Sequence, residues 1–344
     1  MRTLLLLLVS ASALAAQDPS AVWSVQEWRP GVHASVVRDG VPWAQYATSL
    51  IVVGDDGVLV VDTRDTPRAA LDLLAHVRRI TDRPVRWVVN THWHWDHMGG
   101  NQVFADSFPD VEIVAHAETA RRIREDGAAR FAEETQRLEA RVERLERWQA
   151  QGRTDDGQVL ADDDRAQITA VLARDRKRIQ DLSAVRIVPP TLEVTEAWSP
   201  PGWPELRVLH PGPAHTDGDL VVLVTDQGVG AIGDLIEHGL PWFGDGTVRG
   251  TAQALARIDA LDPTPLLLPG HGPIPTDHAL RRGQRAFLDA VDAALRAPDG
   301  SWRSLEEARA ALDADAHRGA FPDISDAAWA EWVDSVLEQR RGEG

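Results

Sequence analysis

Apolar residues fall into two spacings along this chain, and the spacing switches more than once. Short β-branched runs dominate the first third. Residues 32–38, 49–53 and 58–62 read as strands, with Gly54-Asp55-Asp56-Gly57 as the turn between the last two. Pro67 opens a helix reaching about Ile80, with Leu71, Leu74 and Val77 assigned to its apolar face. Residues 85–90 and 111–115 read as buried strands. A second strand-rich block comes much later, at 206–209, 220–225, 229–232 and 266–268, with a helix over 251–261 before its last member. Two β-rich halves, each carrying helices, predict an α/β fold of two sheets packed face to face with helices outside.

Between the halves the pattern is helical. Residues 118–184 are charged and rich in Ala, Arg, Glu and Gln. Phe131, Leu138, Val142 and Leu145 keep helical spacing, as do Ile168, Val171, Leu172, Ile179 and Leu182, with a polar break at 152–157. This predicts an antiparallel helical hairpin with one narrow apolar stripe on each arm. The remaining faces are charged, so the hairpin is expected to stand away from the core, as an access-restricting cover, a homodimer contact or a solvated spur. Residues 276–344 are also helical, at 279–295, 304–312 and 326–339. The expected organisation is a catalytic domain over 22–275 that contains the insertion, followed by a helical C-terminal extension.

The N-terminus changes where this chain is expected to work. Met1 and Arg2 precede an unbroken apolar run from Leu4 to Val9, and Ala13-Leu14-Ala15 has the small-x-small form of a cleavage site. That order predicts a signal peptide over residues 1–15 and export to a periplasmic or extracellular space. The apolar stretch is too short for a permanent membrane anchor. The formal charge of -17 opposes nucleic acid and anionic lipid, which leaves a small molecule as the expected partner. The chain has no cysteine, so disulfides and thiolate metal ligands are both excluded. Any metal must be held by imidazole and carboxylate.

Such groups are concentrated in one segment, Asn90-Thr91-His92-Trp93-His94-Trp95-Asp96-His97-Met98-Gly99-Gly100, directly after a predicted buried strand. In extended backbone, residues two apart face the same way, so His92 and His94 can grip one ion. Asp96 and His97 lie past the bend and point elsewhere, towards a second. Imidazole and carboxylate are the ligands of catalytic rather than structural zinc sites. Trp93 and Trp95 interleave these ligands and have few places to go except beside the site.

This run resembles the His-x-His-x-Asp-His signature of the metallo-β-lactamase superfamily, and later motifs follow in that family's order. The resemblance spans residues 32–275. It implies a four-layer αβ/βα sandwich with two zinc ions at one edge. His215, in Pro211-Gly212-Pro213-Ala214-His215-Thr216, would complete the first site with His92 and His94. Asp234, at a strand end, would bridge both ions. His271, in Pro269-Gly270-His271-Gly272, would join Asp96 and His97 on the second ion, and Asp62 would support the metal loop from behind. The implied reaction is hydrolysis of an ester, thioester, lactone or amide-type carbonyl by hydroxide formed between the cations, with Asp96 and Asp234 orienting it and handling protons.

Two alternatives stay open at this point. The 211–216 segment is similar to that of β-lactamases with a cysteine ligand, yet Asp234 stands where they carry the cysteine. Glu237 stands where they place a lysine for the drug carboxylate, and an anionic group there opposes such a substrate. The Asp234 form looks more like glyoxalase II, lactonases and exported quinoprotein-associated hydrolases. On ligand types alone an iron-dependent persulfide dioxygenase also remains. Glu237, His238, Trp242 and Phe243, on the segment after Asp234, complete the expected substrate pocket.

Overall fold

The computed structural model describes residues 22–41, 46–322 and 324–343. The expected signal segment, residues 1–15, lies outside them.

Seven strands form the first sheet in sequence order: β1 (Trp23–Arg29), β2 (Val32–Val37), β3 (Ser49–Val53), β4 (Val58–Val61), β5 (Val85–Val89), β6 (Glu112–His116) and β7 (Leu192–Val194). The first four pair antiparallel, and β4 through β7 run parallel. The second sheet contains β8 (Ala197–Trp198), β9 (Leu206–Leu209), β10 (Val221–Val224), β11 (Val229–Gly233) and β12 (Leu266–Pro269), in the order β12-β11-β10-β9-β8. Only β12 is parallel to its neighbour there.

The alternation of side chains along β4 shows how the layers arise. Leu59 and Val61 point between the sheets and share a core with Leu50, Trp87, Leu206, Val222 and Leu268. Val58 and Val60 point outward, onto α1 (Pro67–Ile80) and α3 (Asn101–Ser107), meeting Leu73, Val77 and Phe104. A strand covered on both faces must be apolar throughout, as Val58-Leu59-Val60-Val61 is. On the far side, α7 (Val248–Asp259), α8 (Ala279–Leu295), α9 (Leu305–Ala311) and α10 (Asp326–Gly342) cover the second sheet. Phe287, Trp329 and Val333 there share one core with Ile232 and Leu255. The result is the four-layer sandwich, helices–sheet–sheet–helices, and the C-terminal helices belong to its outer layer.

Three local expectations need correction. Strand β1 has no strand assignment in the sequence reading, because its central Gln26 and Glu27 are exposed and give an edge strand with little apolar signal. Leu71 does not lie on the buried face of α1; it is 57 % exposed, and Ala70, Leu73, Leu74 and Val77 make the stripe. The helix begins at a Thr66 cap that accepts from the Ala69 amide, with Pro67 at its first position. Alanines 69 and 70 form the close contact with the sheet, rotating Leu71 to the solvent.

The hairpin is the third correction. A short helix, α4 (Ala117–Glu125), comes first, and the arms are α5 (Gly127–Gln151) and α6 (Asp162–Ser183). The arms do pack on each other, through Val142, Leu145, Trp148, Ile168, Val171 and Leu172 at the outer end. Their root, however, does not stand away from the core. Phe131, Leu138 and Leu182 are buried against Trp93, Met98 and Ile123, which ties both arms to the segment that carries His92 through His97. The stripe was visible in the sequence; the partner covering its first half was not.

Candidate metal centre

Strand β5 ends at Val89, and the chain leaves the sheet as Asn90-Thr91-His92 before one helical turn, α2 (Trp95–Met98). Buried amides pin this exit. Asn90 and Asn101 exchange side-chain hydrogen bonds of 3.0 and 2.8 Å, and Thr63 Oγ1 donates to Asn101 Oδ1 at 2.9 Å. A Cβ on Gly100 would sit 2.1 Å from the Thr63 carbonyl oxygen, so α3 can start this close to β4 only with glycine there. From behind, Asp62 accepts from the Thr91 amide (2.8 Å), the Thr91 hydroxyl (2.7 Å) and His97 Nδ1 (2.7 Å). These bonds orient the His97 ring with Nε2 towards the centre.

The other side chains arrive from the second half. His215 follows β9 in a turn held by Asp219, which accepts from the Thr216 amide and hydroxyl. Burial pushes the Asp219 carboxyl up to about 7. Asp234 directly follows β11 and His271 follows β12, and these two strands are parallel neighbours. A Cβ on Gly270 would collide with Asp234 Oδ1, so glycine is required where the two strand ends meet. Thr48 clamps the halves together, its amide donating to Gly270 O at 2.8 Å and its hydroxyl to Pro269 O at 2.6 Å.

These residues converge as two groups. His92, His94, His215 and Asp234 offer ligand atoms within 4.8 Å of one another, and so do Asp96, His97 and His271. His94 Nδ1 and His215 Nε2 are 3.0 Å apart. Asp234 sits between the groups: Oδ2 is 3.6 Å from His92 Nε2, 3.7 Å from His215 Nε2 and 3.5 Å from His271 Nε2, while Oδ1 is 3.2 Å from His97 Nε2. Asp96 Oδ2 lies 3.2 Å from His271 Nε2 and 3.7 Å from His97 Nε2.

The donor set fits cations. Among the described residues, His92 Nε2, His97 Nε2 and Asp234 Oδ1 are buried without a hydrogen-bond partner, a costly state that coordination relieves. Burial lowers the pKa of His92 well below that of a free imidazole and that of His215 to about 3, keeping both rings neutral and able to donate a lone pair. For His97, burial works against the charged ring, but Asp234, Asp62 and Asp96 outweigh it and raise the pKa well above normal. His271 behaves likewise, with Asp234 the chief opponent of burial. Burial would also raise Asp96, yet His97 and His271 bring it to about 2, so it stays ionised. Three rings and a shared carboxylate on one side, with two rings and a second carboxylate on the other, make two adjoining sites that could hold metal ions.

The expected pocket residues divide. Trp242 is 47 % exposed, with its ring 5.3 Å from that of His94, and forms part of the mouth. Glu237 is partly buried and accepts from the Trp242 amide at 3.3 Å. Burial first, and Asp234 second, push its carboxyl up to about 8, which weakens the expectation of a fixed negative charge there. His238 is partly buried and donates its amide to the His271 carbonyl at 2.9 Å. Trp95 is half-buried against Phe131, under the Arg178 guanidinium. Trp93 is buried and packs into the hairpin root instead of lining an open pocket. Phe243 is no pocket residue at all; it is buried in the second-sheet core and stacks on Trp332. In a Trp-Phe pair on a loop, one ring must face inward, and the sequence does not say which.

Asp245 joins the site without any signal in the sequence. Its Oδ2 lies 3.0 Å from His94 Nε2, the ring nitrogen facing away from His215, and Arg130 from α5 reaches the same oxygen at 3.4 Å. His94 thus has an orienting carboxylate as His97 does in Asp62. A lone aspartate in a loop has no signal in sequence.

Comparisons with known proteins identify the family and the fold. The profile of the metallo-beta-lactamase superfamily matches residues 42–343. Solved structures with the same fold include a metallo-beta-lactamase from Erythrobacter litoralis (TM-score 0.54, 18 % identity, 78 % of this chain and 96 % of that one). Another is from Pontibacter korlensis (TM-score 0.53, 18 % identity, 78 % and 99 %). Among curated proteins, a linear primary-alkylsulfatase of a Pseudomonas strain is 33 % identical over 54 residues, covering 16 % of this chain and 10 % of that protein. The alpha subunit of a Nocardioides 2,4-dinitroanisole O-demethylase is 36 % identical over 102 residues, covering 27 % and 29 %. The chain therefore spans less than a third of the length of either relative.

Proposed function

Because the chain belongs to the metallo-β-lactamase superfamily, whose members are mostly metal-dependent hydrolases, we propose that it is an exported hydrolase. In this reading it binds two zinc ions and cleaves an ester, thioester, lactone or amide-type carbonyl of a small molecule. The observation that carries this is the shared carboxylate. Asp234 places one oxygen near His92, His215 and His271 and the other near His97, so one side chain serves both ligand groups. His92, His94 and His215 would hold one ion, Asp96, His97 and His271 the other, with Asp234 touching both.

When bound, such cations supply Lewis acidity at the carbonyl oxygen and lower the pKa of water towards neutrality. The protein's own groups do the rest. Asp96, held ionised by His97 and His271 and partly exposed, is with Asp234 one of two carboxylates placed to take up a proton. Asp62 and Asp245 hold the His97 and His94 rings in the tautomers whose free nitrogens face inward. Trp242 flanks one side of the opening, beside the His94 ring, and offers a substrate an apolar face.

The test is elemental analysis of protein from its native compartment, followed by one assay panel on the zinc-loaded form. About two zinc ions per chain are expected for a donor set of this kind. The panel contains esters, thioesters, lactones, β-lactams and phosphate esters; the name of the curated alkylsulfatase adds alkyl sulfates. A single iron as the native metal would overturn the hydrolase reading in favour of a dioxygenase. High efficiency on β-lactams alone would assign the activity to lactam ring opening.

A further inference from the structure

The hairpin does more than brace the metal loop. Between its arms, α1 and the start of β1 lies a cavity of about 390 Å³, and Asp96 forms part of its wall. Arg68, Arg137, Arg141, Arg174, Lys177 and Arg178 line it, all but Arg68 from the hairpin. The carboxylates on the same wall, Asp96 aside, are Asp65, Glu134, Asp175 and Asp181. With Asp96 counted, six cationic side chains meet five carboxylates, a small positive excess in a chain whose formal charge is -17.

Each of these cations has a carboxylate partner, Arg137 in Glu134 and Arg178 in Asp65, but Asp175 and Asp181 are each shared between two cations. Asp175, 1 % exposed, accepts from Arg141 Nε at 2.6 Å and from Arg174 Nε at 2.8 Å, so one carboxylate answers two guanidiniums. Arg174 is itself only 7 % exposed, its Nη2 also lies 2.8 Å from Asp175 Oδ1, and its Nη1 is buried with no hydrogen-bond partner among the described residues. Asp181 is shared in the same way, 3.4 Å from Lys177 and 3.7 Å from Arg68. Arg141 with Asp175 suffices to link the arms. A second buried guanidinium on the same carboxylate, left short of an acceptor, costs stability unless something negative completes it. Trp23, Trp95 and Leu138 supply apolar wall beside these charges.

We propose that this cavity is an oxyanion subsite, centred on Arg174, that receives a carboxylate or comparable anionic end of the substrate while the scissile bond lies at the adjoining metal centre. This rests on the hydrolase reading for the second half of the statement but not for the first. Selectivity for anionic substrates then comes from the inserted hairpin, not from the Glu237 position.

Two measurements on the metal-loaded full chain separate the two halves. Calorimetric titration with glutarate, read as the difference between wild type and variants of equal metal content, isolates the subsite from carboxylate binding at the metal centre. Hydrolysis of mono-4-nitrophenyl glutarate against 4-nitrophenyl valerate reads its use in catalysis. Arg174→Gln should weaken glutarate binding and lower the charged-to-neutral ratio of kcat/KM, each about tenfold, as expected for losing one charged hydrogen-bond donor. Arg137→Gln, at an arginine whose side chain is 74 % exposed and pairs with Glu134, is checked for folding by its melting temperature and should lower both by a smaller factor in the same direction. Competition by inorganic sulfate extends the subsite to oxyanions generally, and its absence restricts it to carboxylates. If neither ester is turned over but glutarate binding falls in the variants, the subsite stands and the hydrolase reading fails. Equal glutarate affinity in wild type and both folded variants, with equal metal content, overturns the proposal. So does an equal fall in rate on both esters.

Discussion

Removing the Asp245 carboxylate should weaken metal binding by a predictable and modest amount. His94 turns Nδ1 towards His215 and Nε2 towards Asp245, 3.0 Å away. The proton must then sit on Nε2, and Asp245 fixes both tautomer and ring angle. Losing such an outer carboxylate costs about 10- to 100-fold in metal affinity. Asp245 is the exposed case, with its side chain 26 % accessible, so water can replace the lost acceptor and the cost belongs at about tenfold, or roughly 1.4 kcal/mol. Asp62 is the buried counterpart. Its side chain is 4 % accessible, it accepts three hydrogen bonds, and it adopts a positive φ of 59° that asparagine also tolerates. Asp62→Asn keeps the shape but loses the charge and forces one donor to face another donor. The expected loss is about 100-fold, or roughly 2.7 kcal/mol. Competition for zinc against a fluorescent chelator measures both. An Asp245→Ala protein with wild-type zinc affinity would refute the role given to Asp245. A larger loss there than in Asp62→Asn would show that burial does not set the order.

Other outcomes follow from the packing. Phe131→Ala, at the hairpin root, should destabilise the protein by about 3 to 5 kcal/mol in thermal or urea unfolding and also weaken zinc binding, because Phe131 packs in the cluster that contains Trp93 and Met98. Trp148→Ala, in the separate outer cluster, should lower stability while leaving zinc affinity at the wild-type value, measured by the same chelator competition. Gly100→Ala should yield a poorly folded chain in circular dichroism, since its Cβ would press on the Thr63 carbonyl and no flexible side chain is there to move. Stripping metal with a chelator should lower the melting temperature, and restoring zinc to about 100 times its dissociation constant should return roughly 2.7 kcal/mol. An unchanged melting temperature would show that the buried, partnerless His92, His97 and Asp234 atoms are not held by metal.

The chemistry of the centre was legible in the sequence because it depends on local spacing. His92, His94, Asp96 and His97 lie within six consecutive positions after a strand, and the change from extended chain to the helical turn that starts at Trp95 separates them into two directions. The two β-rich halves were legible for the same reason, since period-two patterns and turn residues are local. Strand β1 was not, because an edge strand can carry polar residues on its open face. Pairings across the chain were decided only by the tertiary structure. Asp245 meets His94 across 151 positions, and no pattern in a single sequence records that distance. Which of Trp242 and Phe243 faces the solvent depended on where α10 came to rest. The hairpin shows the division most clearly. Its apolar stripe announced two helices, but a stripe states only that a face must be covered. That Trp93 and Met98 cover its root, and that its basic residues surround a cavity beside Asp96, depends on which residues the fold brings against the arms. Burial and charge balance are sums over neighbours in space, and those neighbours exist only once the chain has folded.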